Sequence, residues 1–401
     1  MHLPKTLLIL LSLASLIFIF SRCMDNNAAI SKDPRGERWA GSKTCGTCHS
    51  NIANSYAHTN HFKTSSKSNK SDLKKQSDLE ADSFYFATDH YTLVEEKDGN
   101  YFQTSFVNDT KTTSASFDIA FGSGEKAQTY GYWKNGQLYQ LPLTWFTTNH
   151  AWANSPGFPE SKAHYDRVII SRCFECHSSY VDVDFKQETA LSTAEVMDKN
   201  SIVFGIDCER CHGPGMGHVS FHKENPAAKK SMHMAAWKSL SRQQQLDACA
   251  VCHSGNDMAM QRSSFAFVPG DTLSHFSYPG FGEQKTKEPD VHGKQMQLLQ
   301  SSACFKASKL TCTSCHSPHE AEKNLSELFV SKCMSCHQSS THAQKNLLEF
   351  QQAAVKNTGS NIKNCINCHM PLQPSKDIFF GAGLQSGTIP YLLRTHRIGI
   401  Y

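Results

Sequence analysis

Residues 205–219 read GIDCERCHGPGMGHV. Cys208, Cys211 and His212 stand in the pattern C-x-x-C-H, in which two thiols add to the vinyl groups of one haem and the adjacent histidine is placed to bind its iron. The Gly-Pro-Gly turn at 213–215 swings the backbone off the haem face and sends His218 back towards a porphyrin. The same pattern recurs at Cys45-Cys48-His49, Cys173-Cys176-His177, Cys249-Cys252-His253, Cys312-Cys315-His316, Cys333-Cys336-His337 and Cys365-Cys368-His369.

Seven motifs use fourteen of the sixteen cysteines. The Cys and His content predicts only about 0.03 such motifs by chance in 401 residues. Structural zinc needs four ligands in paired C-x-x-C units and does not require the trailing histidine. A redox dithiol needs one site, not seven. The pattern therefore predicts seven covalently attached haem c groups, with these cysteines as thioether donors and these histidines as proximal iron ligands.

Seven haems in 401 residues leave about 57 residues each, too few for a separate domain around every one. The haems must form much of the core, which suits a hydrophobic fraction of 39%. A net charge of +4 gives no argument for nucleic acid. The expected fold is mainly α and irregular, with short helices around stacked haems and one antiparallel β insertion.

In chain order, residues 1–22 read as a signal peptide or anchor, with Lys5 ahead of a mostly apolar run from Leu7 to Phe20. Export is required in any case, because c-type haem is attached outside the cytoplasm. The expected location is the periplasm. Cys23 follows the run at once and is a candidate for lipid attachment, although Arg22 stands where a small residue is usual. A cleaved soluble form and an uncleaved anchor are the alternatives. Residues 23–40 read as a tether and 41–82 as the first haem segment. Residues 83–148 lack cysteine, alternate apolar and polar side chains, and carry the hairpin signals Asp98-Gly99 and Asn135-Gly136, so they read as the β-rich insertion. Residues 149–401 read as a six-haem cytochrome domain with short helices between the motifs.

Of the fourteen histidines outside the motifs, His61, His218, His292, His319, His396, His150 and His58 are the candidates for distal iron ligands. His58 and His61 are three apart and would share a helix face. The GPG turn aims His218. His319 follows His316 through a proline, so its natural target is a neighbouring haem. His396 lies between Arg394 and Arg397, which are placed to pair with propionates. Cys304 reads as a buried free thiol.

These segments together resemble the multihaem cytochrome c-554/c-prime (cytochrome c-552/4) family, a relative of the hydroxylamine oxidoreductase and pentahaem nitrite reductase group. The matching stretches are GSKTCGTCHSNIANSYAHTNH, CERCHGPGMGHV, VHGKQ, LTCTSCHSPHE and NCINCHMP, and they sample about two-thirds of the chain. The resemblance implies haems packed in parallel and perpendicular pairs, mostly with two histidine ligands. The chain departs from tetrahaem carriers in having seven motifs and the insertion. It has no C-x-x-C-K, so the nitrite reductases' active-site assignment does not transfer.

Two functions follow. Bis-histidine haems have no open position, so seven in contact make an electron carrier serving redox partner proteins in the periplasm or membrane. One five-coordinate iron would instead make an oxidoreductase acting on a small nitrogen or sulfur compound, and the haem at His49, under the β insertion, is the first place to look. The residues weigh towards the carrier and identify no catalytic residue.

Overall fold

The computed structural model describes residues 33–77, 83–159, 161–255, 260–276, 288–322, 325–337, 364–381, 383–384 and 388–401. The signal or anchor, Cys23 and most of the tether lie outside them.

The fold is mixed rather than mainly α: strand accounts for 31% of the chain and helix for 28%. Four separate β units make the difference. The first is the insertion. Strands β2 (Ser83–Ala87), β3 (His90–Lys97), β4 (Asn100–Val107) and β5 (Thr110–Ser116) form an antiparallel meander. Asp98-Gly99 closes β3 on β4 with φ of 50° and 71°, and Asn108-Asp109 closes β4 on β5 with φ of 47° and 57°. Both two-residue turns need left-handed backbone, which Asn, Asp and Gly adopt at low cost.

The second sheet runs β1-β6-β7-β9-β10, with β8 also paired to β7. Its strands are β1 (Ser65–Lys67), β6 (Ile119–Phe121), β7 (Ala127–Lys134), β8 (Gln137–Gln140), β9 (Leu143–Phe146) and β10 (Ala151–Asn154). The sheet thus draws in residues on either side of 83–148. Tyr130, Leu141, Leu143, Trp145, Phe146 and Trp152 are buried against Phe84, Phe86, Val94, Tyr101 and Phe117. Gln103 ties the two sheets like an extra strand partner: its amide donates to the Leu143 carbonyl at 2.9 Å and accepts from the Leu143 N–H at 2.8 Å. A buried amide is tolerated because it is satisfied in both directions.

The other two β units lie where short helices were expected. Residues 178–204 form a long hairpin of β11 (Ser178–Thr189) and β12 (Ser192–Phe204). Its strand period is visible in Val181, Val183 and Phe185. After the seventh motif, β13 (Leu372–Gly381) and β14 (Thr388–Arg394) form a ribbon, and Tyr391 docks on Phe146 at 6.0 Å. Pro374 and Pro390 fit because a two-stranded ribbon has two free edges, and the register breaks beside Pro374.

The motifs themselves ride on short helical turns. Helices span Ser42–Cys48, Ser171–His177, Cys208–His212, Arg242–His253 and Cys365–His369, and a 3-10 turn covers Cys312–Ser314. Residues three apart share a helix face, so both thiols of a motif point the same way. Asp207 caps the third motif by accepting from the Arg210 N–H at 2.8 Å. Ser241 and Gln244 form a reciprocal cap on the helix of the fourth. Among the described residues no helix is long and apolar enough to cross a membrane.

Candidate functional site: the haem-binding motifs

Four motif histidines each face a second imidazole from a distant part of the chain. His49 faces His218 with ring centroids 6.4 Å apart and planes at 25°. His212 faces His319 at 5.8 Å and 8°. His316 faces His396 at 6.2 Å and 27°. His253 faces His61 at 6.0 Å, but with planes at 81°.

That spacing is a test of fit. An imidazole nitrogen binds a transition metal at about 2 Å, and the ring centroid lies about 1 Å behind it, so two rings on one metal stand about 6 Å apart. Direct ring packing would bring them closer. The four pairs therefore suit an iron between them. Each has two thiols of a C-x-x-C on one helical face beside it, so these residues fit covalently held haem.

Burial pushes His61 and His396 down to about 4, with the charges of His253 and His316 adding to it. Both imidazoles are thus neutral at physiological pH, the form in which a nitrogen lone pair can bind metal.

The fifth candidate, His292, lies close enough to His177 for its charge to lower that ring's pKa, after burial as the main cause. His177 is held by the Thr64 hydroxyl at 3.1 Å from Nδ1 and by the edge of Phe121. The strands β1 and β6 therefore back the second motif. His49, singled out from sequence as the first place to look for an open iron, faces His218. His58 and His150 are exposed, and among the described residues neither makes a ring contact with a motif histidine. Nδ1 of His369 lies 2.7 Å from the Gly399 carbonyl. Arg394 donates to the carbonyls of Ile366 and Met370 and to Asn367, which secures the seventh motif from inside the protein. Arg397 lies 3.7 Å from Glu288.

The motifs also touch one another. Thiol–thiol contacts join Cys45 to Cys208, Cys176 to Cys252, Cys249 to Cys312 and Cys333 to Cys365. The charge of Cys252 reaches Cys211, and that of Cys315 reaches Cys333. The spatial order is first, third, fourth, fifth, sixth, seventh, with the second beside the fourth. Cys304 lies near the fifth and sixth motifs.

The x positions of two motifs carry buried charges that a spacer reading passes over. Glu209 accepts from the N–H groups of Ala40, Gly41 and Gly215 at 2.8, 2.8 and 2.7 Å and from Arg35 at 3.2 Å. Arg210 donates to the Glu175 carbonyl and the Ser264 hydroxyl, each at 3.2 Å. Glu175 in turn accepts from Ser263 at 2.6 Å. The signal was present: five spacers are apolar or small and polar (GT, AV, TS, MS, IN), and only FE and ER bring charge.

Thiol pairs and facing imidazoles of this kind define a multihaem c-type cytochrome, with haem bound covalently. The family described as cytochrome c554 and c-prime matches residues 44–108 and 128–213 of this chain. The dissimilatory sulfite reductase MccA of Wolinella succinogenes is 22% identical over 277 residues, covering 59% of this chain. The chain spans about a third of that relative's length, 34%. The crystal structure of the outer cell wall cytochrome OcwA shares the fold at a TM-score of 0.51, with 16% identity over 85% of this chain and 78% of that one.

Proposed function

We propose that this chain is an exported electron carrier with seven covalent haems, most of them bound by two histidines. The observation that carries the reading is the set of four imidazole pairs at 5.8 to 6.4 Å. Haem supplies reversible one-electron chemistry, and a second imidazole closes the sixth position to substrate and lowers the potential relative to methionine. His218, His61, His319 and His396 hold that position for the first, fourth, third and fifth motifs, and His292 for the second. The contacts between motifs support a continuous route with a junction at the fourth. Redox proteins of the periplasm or membrane supply and take the electrons. Lipid on Cys23, or an uncleaved anchor, would attach the protein to the membrane.

The similarity to a protein named a sulfite reductase favours a second reading. In it, one iron stays open and reduces a small sulfur or nitrogen compound. Low-temperature EPR of the oxidised holoprotein, with and without sulfite, nitrite or hydroxylamine, separates the two. The carrier predicts only low-spin signals that ignore the additions. A high-spin signal that shifts on addition, with turnover when reductant is supplied, overturns it. Intact mass must also read seven haems.

The same spectra carry a finer prediction. Near-parallel axial imidazoles give rhombic low-spin signals, whereas near-perpendicular ones give a highly anisotropic signal at larger g. The pair at 81° should produce the second kind and the pairs at 8 to 27° the first. Conversion of the anisotropic signal alone in His61→Ala checks the assignment.

A further inference from the structure

The proximal histidine of the fifth motif has a partner of a different kind from those of His177 and His369. Nδ1 of His316 lies 2.9 and 3.2 Å from the two carboxylate oxygens of Glu322. The Ser317 N–H donates to the same carboxylate at 3.3 Å and steadies it. Glu322 is mostly buried, with 20% of its side chain exposed. The corresponding nitrogen of His177 meets a hydroxyl, Thr64, and that of His369 a carbonyl, Gly399. On the distal side, His218 meets the Met232 carbonyl.

We infer that Glu322 is a tuning residue that gives the haem at Cys312-Cys315-His316 a lower reduction potential than its bis-histidine neighbours. The inference rests on the proposed ligation of that iron by His316 and His396. With Nε2 of His316 turned to the metal, the ring proton sits on Nδ1 and is donated to the carboxylate. A charged acceptor draws that proton further than a carbonyl or hydroxyl does, so the ring gains imidazolate character and becomes a stronger donor. A stronger donor favours the ferric state. Carboxylate charge close to the site acts in the same direction.

The placement gives the effect a consequence for the route. The fifth motif lies between the fourth, through Cys249 and Cys312, and the sixth, through Cys315 and Cys333. A low-potential haem there is a step that electrons cross without settling. It divides the chain into one pool on the first four motifs and another on the last two.

The test uses the holoprotein. In Glu322→Gln, which keeps a hydrogen-bond acceptor but removes the charge, spectroelectrochemical titration should show one midpoint moving positive and the rest unchanged. All haems should stay low-spin. His396→Ala leaves His316 as the sole axial ligand of one reduced iron, so its iron–histidine stretching band becomes visible by resonance Raman. That band should fall in frequency when Glu322→Gln is added. Unchanged midpoints and an unmoved band, with the low-spin spectrum intact, overturn the inference and leave the carrier reading standing. A high-spin, ligand-sensitive haem in the unsubstituted protein overturns the carrier reading instead, whatever Glu322 does.

Discussion

Gly205→Ala is expected to destabilise the protein by about 2–5 kcal/mol and to turn one haem high-spin. Gly205 has φ +64°, a left-handed conformation that costs a residue with a Cβ. The added Cβ would also lie inside the contact distance of the Phe62 carbonyl oxygen and 2.9 Å from its carbon. Backbone cannot yield as a side-chain tip does, so the segment around Phe62 must move. That segment holds His61. The Ile206 N–H donates to the His61 carbonyl at 2.9 Å, and the Gly205 N–H donates to the Ser65 hydroxyl at 3.0 Å. Tyr56 locks the same turn by donating to the Ile206 carbonyl at 2.6 Å. Shifting Phe62 therefore draws the His61 ring away from His253. Denaturant unfolding reads the stability, and the loss of the anisotropic low-spin signal reads the ligand. A variant with unchanged midpoint and spectrum would show that this turn does not position His61.

Glu209→Ala should cost about 4 kcal/mol, because it leaves the buried N–H groups of Ala40, Gly41 and Gly215 without their acceptor, at about 1–3 kcal/mol each. It also strips one carboxylate from Arg35, which Asp33 and Asp207 hold at 2.8 and 2.6 Å with side chains only 4 to 8% exposed. Glu209→Gln keeps one oxygen and should lose about half as much. The damage falls between the first and third motifs, where Cys45 meets Cys208. A greater shift in the His49 and His212 haems than in the others, seen by EPR, marks the location. An unfolding midpoint equal to the parent's would remove Glu209 from the account.

The same cluster sets a pH dependence. Burial pushes the Asp33 carboxyl up, but hydrogen bonds from the Arg35 side chain and backbone, with the Arg35 charge, bring it below the ordinary carboxylate value. The unfolded chain therefore binds this proton more readily than the folded one. The stabilisation is complete above the ordinary carboxylate range and is lost as pH falls through the lowered value.

How much of this was legible follows from how far apart the cooperating atoms lie. The C-x-x-C-H motifs and the turns at Asp98-Gly99 and Asn135-Gly136 act across a few bonds, so their spacing alone carries the chemistry. The hairpin at 178–204 was also written locally, in the alternation of Val181, Val183 and Phe185. Short helices were expected there because the segment lies between motifs, and that expectation overrode the period. The charged spacers Glu209 and Arg210 stood in plain view, but their partners, Arg35 and Ser264, are remote in the chain.

His58 and His61 mark the limit most clearly. As a helix they would share a face, but the helix ahead of them ends at Tyr56, and both lie in the turns that follow. The covalent attachment of haem was determined by the sequence itself, through seven local constellations of two thiols and an imidazole. Which second imidazole faces four of them, at what angle, and which motif touches which were decided only by the tertiary structure. A sixth ligand comes from any distance along the chain, and only packing sets two rings 6 Å apart across a metal-sized gap.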